Sequence, residues 1–499
     1  MSSRLTRKWS ITLCCVLLMM TLLLQACSGE KALLPELPKD GTGTLRVMYY
    51  DEDQFYRQYG AYFAIEYPDI ALEVIGTNDL YSNEEFQKDP QKGMLEFVKK
   101  EKPDILLMDQ DSLKSFAEEG ILYNLDPIIQ QEQYPVADFL PGLIESLREM
   151  GNGNLYGLTP TYNAQAIYYN ADLFKQHNIE PPHHKMTWDE VLNLAARFNQ
   201  IGSGEDQVYG LYSQYSDSMQ YLMNIASTMQ LRPVDASGSK VVMDSDGWKQ
   251  AFKMVADGVK DKSIFVPTRT ENGMVQGQDD LFIKGKAAMV MESSWFANQI
   301  GDRFKWDKEL KPFDWQMVTM PINPATPDQS AAVGFYNIMG IHQDAANKRE
   351  AWELIKFINS DKVAKINSKM SYGELPTRIS YVKEIAGKNA EAFTMLAPSS
   401  SGNSIWSSLY ANKNVPENFY MILNQSINEA MDAIVKDTKS VDEALAELQQ
   451  KLQAAIDEGK RQQEEEKANG EEKSEETSEG TDEGTAVDTS DTETSTTTE

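Results

Sequence analysis

Thr44-Leu45-Arg46-Val47-Met48-Tyr49-Tyr50-Asp51-Glu52-Asp53-Gln54-Phe55 is the stretch on which the fold is decided. Leu45, Val47 and Tyr49 alternate as one face of a strand; the apolar spacing then changes to Phe55, Tyr59, Tyr62 and Phe63, which is helical, until Pro68 ends it. The same switch repeats downstream. Ile70, Leu72 and Val74 read as a second strand, Met94, Leu95, Phe97 and Val98 as a helix, Ile105-Leu106-Leu107-Met108 as a buried third strand, and Leu113, Phe116 and Ala117 as a short helix. Strands alternating with helices imply an α/β fold with a mainly parallel sheet, whose ligands sit outside the carboxyl ends of the strands. Those ends are Tyr50-Asp51-Glu52-Asp53, Gly76-Thr77-Asn78-Asp79 and Asp109-Gln110-Asp111, all able to hydrogen-bond a polar ligand. Gly151-Asn152-Gly153 and Gly202-Ser203-Gly204 lack the strand-to-helix context of a dinucleotide fingerprint and read as loops.

Upstream of the first strand, Arg4, Arg7 and Lys8 precede an apolar run from Ile11 to Leu24, and Leu24-Gln25-Ala26-Cys27 closes it. The run falls short of the roughly 20 apolar residues that span a bilayer, and small Ala26 before a cysteine reads as a lipoprotein cleavage box. Residues 1–26 are therefore expected to be a signal peptide, Cys27 a lipid-bearing residue, and 27–43, with Pro35, Pro38, Gly41 and Gly43, a linker. Cys14 and Cys15 lie inside the signal, so no disulfide is expected in the mature chain. A net charge of −29 argues against nucleic acid as a partner. From Glu464 to Glu499 fourteen acidic residues face only Lys467 and Lys473. Residues 459–499 are accordingly expected to be a disordered acidic tail.

Further along, Leu158-Thr159-Pro160-Thr161 leads into the aromatic segment Tyr162 to Tyr169 and a helix-rich region. Thr187-Trp188-Asp189-Glu190 is a capping box opening the helix of Val191, Leu194, Ala195 and Phe198, and Ser440-Val441-Asp442-Glu443 caps the last helix. Between them, Ala287 to Met291 is a buried strand that runs into Glu292-Ser293-Ser294-Trp295.

Four motifs carry a resemblance: Tyr156-Gly157-Leu158-Thr159-Pro160 followed by Tyr168-Tyr169-Asn170-Ala171-Asp172-Leu173-Phe174; the Thr187 capping box; Phe282-Ile283-Lys284-Gly285-Lys286-Ala287-Ala288-Met289; and Gly373-Glu374-Leu375-Pro376-Thr377-Arg378. In this order, behind a lipoprotein signal, the chain from Thr44 to about Glu458 resembles the family 1 extracellular solute-binding proteins of ABC importers and is similar to maltose-type sugar-binding proteins. That resemblance implies a periplasmic-binding-protein-like fold, two α/β lobes joined by hinge crossings with a ligand cleft between them. By analogy residues 44–162 plus 287–334 make the first lobe and 163–286 plus 335–458 the second. The expected partners are a small-molecule solute, the permease subunits of an ABC importer and a membrane reached through the lipid; the receptor is expected to be a monomer without a cofactor. Pro181-Pro182-His183-His184-Lys185 departs from the family pattern.

A sugar needs flat aromatic faces against its C–H surface and fixed donors and acceptors for its hydroxyls. The candidates are Asp51, Asp53 and Asp109 as acceptors, Tyr50 and Tyr162 as wall, Asn163 as a two-way amide, Trp295 and Trp406 as stacking platforms, and Glu292 as a further acceptor. Asp51 or Asp53 can equally cap the helix that begins near Phe55. Trp406 sits in a loop signal after Ser399-Ser400-Ser401-Gly402, whereas Trp188 and Trp352 fall on apolar helical patterns and read as packing. His183-His184 lacks a third ligand at metal spacing, and Asp244-Ser245-Asp246-Gly247 lacks a calcium loop's closing glutamate, so no metal is expected. Two rival readings stay open: a binding lipoprotein that feeds a sensor, and a surface glycosidase.

Overall fold

The structure is a computed structural model and describes residues 34–37, 42–83, 86–87, 89–213, 217–269, 275–276, 280–369, 373–399, 409, 415–416 and 418–479. The chain divides into two compact units: the described part of Met1–Tyr168 with His183–Lys185 and Glu292–Gly402, and the described part of Tyr169–Pro182, Met186–Met291 and Asn403–Glu499.

The first unit opens with β1 (Gly43–Tyr49), whose inward Leu45, Val47 and Tyr49 are fully buried. Helix α1 (Glu52–Phe55) follows, runs through a π-turn at Tyr56–Gly60, and continues as α2 (Ala61–Glu66). Then come β2 (Ile70–Gly76), α3 (Pro90–Glu101), β3 (Ile105–Met108) and α4 (Gln110–Glu118). Strand β1 pairs in parallel with β2, in the register Leu45 to Leu72, and with β3 at Val47 to Ile105. The chain adds β4 (Gly157–Leu158) and enters β5 (Thr161–Asn170), within which it leaves the unit after Tyr168.

The second unit contains α5 (Trp188–Ala195), β6 (Tyr209–Tyr212), α6 (Ser218–Thr228), α7 (Asp246–Lys260) and most of β7 (Ala287–Ser293). Strand β7 pairs in parallel with β6, Leu211 opposite Met289. The capping box at Thr187 is formed in both directions, and the Trp188 indole N–H donates to Thr228 Oγ1 at 3.0 Å. Trp248, Phe252, Tyr221 and Ile225 fill the core between α6 and α7.

Back in the first unit, the chain forms α8 (Phe296–Trp306), β8 (Trp315–Thr319), β9 (Val333–Gly334), β10 (Ile338–Ile341), α9 (Lys348–Ile358) and β11 (Leu375–Pro376). Strand β10 inserts between β3 and β4, antiparallel to both, which gives a five-stranded sheet of order β2-β1-β3-β10-β4. On α9, Trp352 is completely buried and donates its indole N–H to Glu132 at 3.0 Å, so Trp352, like Trp188, is a packing residue. The second unit ends with α10 (Phe419–Val435) and α11 (Val441–Glu479), the latter entered through a reciprocal Ser440–Glu443 cap. Gln449 and Gln453 on α11 accept the backbone N–H groups of Asp244 and Val241.

Three expected borders need correction. The described part of residues 335–402 falls in the first unit rather than the second, because β10 is an interior strand of its sheet and β11 pairs with β5 at Leu375 and Tyr162. Residues 287–291 fall in the second, because β7 is laddered to β6, and residues 163–168 remain in the first. The acidic tail, expected to be disordered from 459, is helical to Glu479; its Glu, Lys, Gln, Arg and Ala are strong helix formers, and Arg461 pairs with Glu458 and Glu465 at helical spacing. Residues 480–499 lie outside the described residues, as do residues 1–26, expected to be a signal peptide, and Cys27. Among the described residues no helix is long and apolar enough to cross a membrane.

Candidate functional site

A parallel sheet gathers its carboxyl ends on one edge, and β10, running the other way, brings its amino end to that edge. The first unit therefore places Tyr50 and Asp51 after β1, Thr77 after β2, Asp109 after β3 and Asn337 before β10 side by side. The Tyr50 hydroxyl donates to Asn337 Oδ1 at 3.0 Å, across 287 residues of sequence. Asn337 is buried with φ 55°, a left-handed conformation that asparagine tolerates better than most residues. Gln110 donates to the Phe335 carbonyl at 3.4 Å, and its own Oε1 is enclosed without a partner.

Gly373 and Glu374 lie just before β11, which pairs with β5 and not with the five-stranded sheet, and Glu374 is close enough to act on Tyr50 and Tyr59. Glu374 Oε2 accepts from Thr161 Oγ1 at 2.6 Å, and the Gly373 carbonyl accepts from Ser294 Oγ at 2.8 Å. Gly373 has φ 89°, and a Cβ there would lie 3.5 Å from the Trp295 ring, so the glycine both makes the turn and lets the indole lie against it. Trp295 is 40% exposed, Tyr336 54% and Tyr81 54%, large apolar faces left open beside buried hydrogen-bonding groups. Thr159 Oγ1 donates to the Tyr336 carbonyl at 2.7 Å and fixes the backbone that carries that ring.

Burial raises the Tyr50 hydroxyl pKa, and Tyr81, Asp109 and Glu374 push it the same way. For Tyr59, burial, Glu374 and Tyr50 act together. These phenols stay protonated donors throughout the ordinary pH range.

Of the residues singled out in the sequence, Tyr50 is bonded to Asn337, Trp295 lies against Gly373 with its ring partly open, and Asp109 is close enough to act on Tyr50 and Tyr81. Asp109 also caps α4, accepting the Ser112 N–H at 2.8 Å, yet its side chain stays exposed. The other candidates are placed differently. Asp51 caps α1, taking the Gln54 N–H at 2.7 Å with the side chains of Gln54 and Asn78. Asp53 is an exposed residue in the first turn of α1. Tyr162 belongs to the core rather than the wall: it is 1% exposed and donates to the Phe393 carbonyl at 3.1 Å, because its position on β5 points inward. Asn163 is half-buried opposite Gly334 in the β5–β9 ladder, and Glu292 is half-buried beside Tyr168, whose hydroxyl burial and the Glu292 charge both raise. Trp406 lies outside the described residues.

Glu374, Tyr81, Tyr336 and Asn337, which lie near Tyr50 or present open rings, were not among the candidates from sequence, whereas Gln110 was named within a polar strand end. Glu374 sits within a motif read only as a family marker. Its neighbour Arg378 turns out to be a brace, buried over Phe139 and donating to the Asn359 carbonyl at 2.6 Å and to Tyr134 at 3.1 Å. His184, expected in a solvated loop, accepts the Thr319 N–H at 3.2 Å on the edge of β8. Among the described residues no three His, Cys, Asp or Glu side chains gather as a metal site.

Residues 72–395 match the bacterial extracellular solute-binding protein family, and the chain belongs to it. A putative binding protein of Brucella abortus is 27% identical over 307 residues, covering 59% of this chain and 68% of the relative. The sn-glycerol-3-phosphate-binding periplasmic protein of the same species is 22% identical over 207 residues, 40% of this chain and 46% of the relative. In fold the chain is similar to a sugar transporter of Rhizobium etli in an open conformation, with 19% identity, TM-score 0.57, and 82% of this chain and 99% of the other covered. It is similar too to the sugar-binding protein MalE of Xanthomonas citri, with 17% identity, TM-score 0.55, and 84% and 99% covered. The chain is thus an extracytoplasmic solute-binding protein of two-lobed α/β architecture.

Proposed function

We propose that this protein is the lipid-anchored receptor of an ABC importer, that it captures a carbohydrate, and that it delivers the sugar to the permease without chemical change. The observation that carries the carbohydrate reading is the presence, in one unit, of open Trp295, Tyr336 and Tyr81 rings together with the polar groups of Tyr50, Asn337, Asp109 and Glu374. Rings of this kind cover sugar C–H faces, and the polar groups replace the water lost by the hydroxyls. The lobes would close on the solute, and a strongly open equilibrium is reversed only if the solute prefers the closed form by several kcal/mol. A phosphate ester, the class named for one Brucella relative, is the competing solute.

Cys27 would carry the lipid, and residues 27–43 would tether a monomer to the outer face of the membrane. A thermal-shift screen of the mature chain against sugars tests the solute: saturation at 100 times the dissociation constant adds about 2.7 kcal/mol to stability. A sugar hit with no turnover supports a receptor, and released products would support the glycosidase instead. Uptake in a deletion strain tests transport; full uptake of that sugar without the gene would leave a sensor role in place of an importer.

A further inference from the structure

The polar groups of the first unit's edge carry a consistent sign. Glu374 is held by a hydroxyl donor, Thr161, at 2.6 Å rather than by a lysine or arginine. Asp109 is held by the Ser112 backbone N–H and faces solvent. Asp51 is held by the side-chain amides of Gln54 and Asn78 and by a backbone N–H. After burial, the groups that act on the Tyr50, Tyr59 and Tyr81 hydroxyls are Asp109, Glu374 and one another. Elsewhere in the same unit the pattern differs: Arg349 acts on Tyr67 and Arg378 on Tyr134. The carboxylates at this edge are therefore partnered by dipoles, which satisfy hydrogen bonds but leave the negative field in place.

Such an edge offers acceptors to a ligand that brings donors. A hydroxyl brings one and a protonated amine three, whereas a phosphate monoester brings charge of the wrong sign. From the geometry we infer that this edge selects its solute by charge, with Glu374 as the specificity-determining residue: it takes a neutral or amine-bearing polyhydroxy solute and rejects a phosphorylated or carboxylated one. The inference rests on the carbohydrate reading of the site.

The test is calorimetric titration of the full mature chain with glucose, glucosamine, glucose 6-phosphate and sn-glycerol 3-phosphate. Glucose and glucosamine should bind, with glucosamine at least as tight, and glucose 6-phosphate should be weaker than glucose by about tenfold or more. Two variants keep the local structure. Glu374→Gln still accepts from Thr161, and Asp109→Asn still caps α4. Glu374→Gln should narrow the glucose to glucose 6-phosphate ratio by about tenfold, and Asp109→Asn should narrow it less. Glucose 6-phosphate binding more tightly than glucose, or a ratio unchanged in Glu374→Gln, overturns the inference while leaving the carbohydrate reading intact. Binding of sn-glycerol 3-phosphate alone, or of none of the four, counts against both.

Discussion

A carboxylate that caps a helix is already engaged, and this decides how Asp51 behaves on substitution. Its oxygens serve Gln54 and Asn78, so Asp51→Ala should cost about 1 kcal/mol of stability, measured by urea unfolding, with solute affinity kept. Trp295 is the opposite case. With 40% of its surface open, Trp295→Ala should weaken sugar binding by about tenfold or more and move the melting temperature little. Tyr162→Phe strips a donor from the buried Phe393 carbonyl and should destabilise by about 1–3 kcal/mol without changing affinity. At this scale the sequence is half legible. It marks polar strand ends, and Tyr50 and Asp109 follow from them. Along β5, polar Thr161, Asn163 and Gln165 alternate with Tyr162, Ala164 and Ala166, which sets Tyr162 on the apolar face, but the alternation does not say whether that face meets the core or a ligand.

At the level of elements, α9 is tied to the helix Asp126–Glu132 by one charged cluster. Glu132 accepts from Lys356 at 2.8 Å, from Arg349 at 2.5 Å and from the Trp352 indole, and Glu353 binds Arg349 and Lys356 from the other side. Burial disfavours the Glu132 charge, but the hydrogen bonds from Lys356, Trp352 and Arg349 outweigh it and hold the carboxyl below its usual range. A depressed carboxylate pKa stabilises the fold above the unfolded value and ceases to do so as pH falls through the folded one. Unfolding midpoints should therefore fall as pH drops below about 4.5, and Glu132→Gln should flatten that dependence while lowering stability at neutral pH. The Glu132 pairings are not visible in sequence, because their members lie more than 200 residues apart, whereas the Glu353 pairs are local to α9. The elements themselves are visible: β1, β2, β3 and the Thr187 and Ser440 caps stand as their periodicity and side-chain chemistry require.

For the whole molecule, the proposal that Cys27 is only a tether makes a clean expectation. Cys27→Ser should leave the protein in the soluble fraction of cells with its dissociation constant for sugar unchanged; weaker binding would mean that anchor and receptor are not independent. Local alternation gives the α/β class. The unit borders were harder to read because pairing direction is not written in a single strand: Ile338 to Ile341 could lie in either unit until its antiparallel ladder with β3 is known. That ladder also sets an order of assembly. The strand next to β3 is made some 230 residues after it, and what lies between includes most of the second unit. Sheets closed by such distant partners form slowly, and a chain that cannot complete its first sheet early remains easy to thread through an export channel. A fragment ending at Asp328 should accordingly leave its first 160 residues open to protease, and protection should return when synthesis passes Ile341.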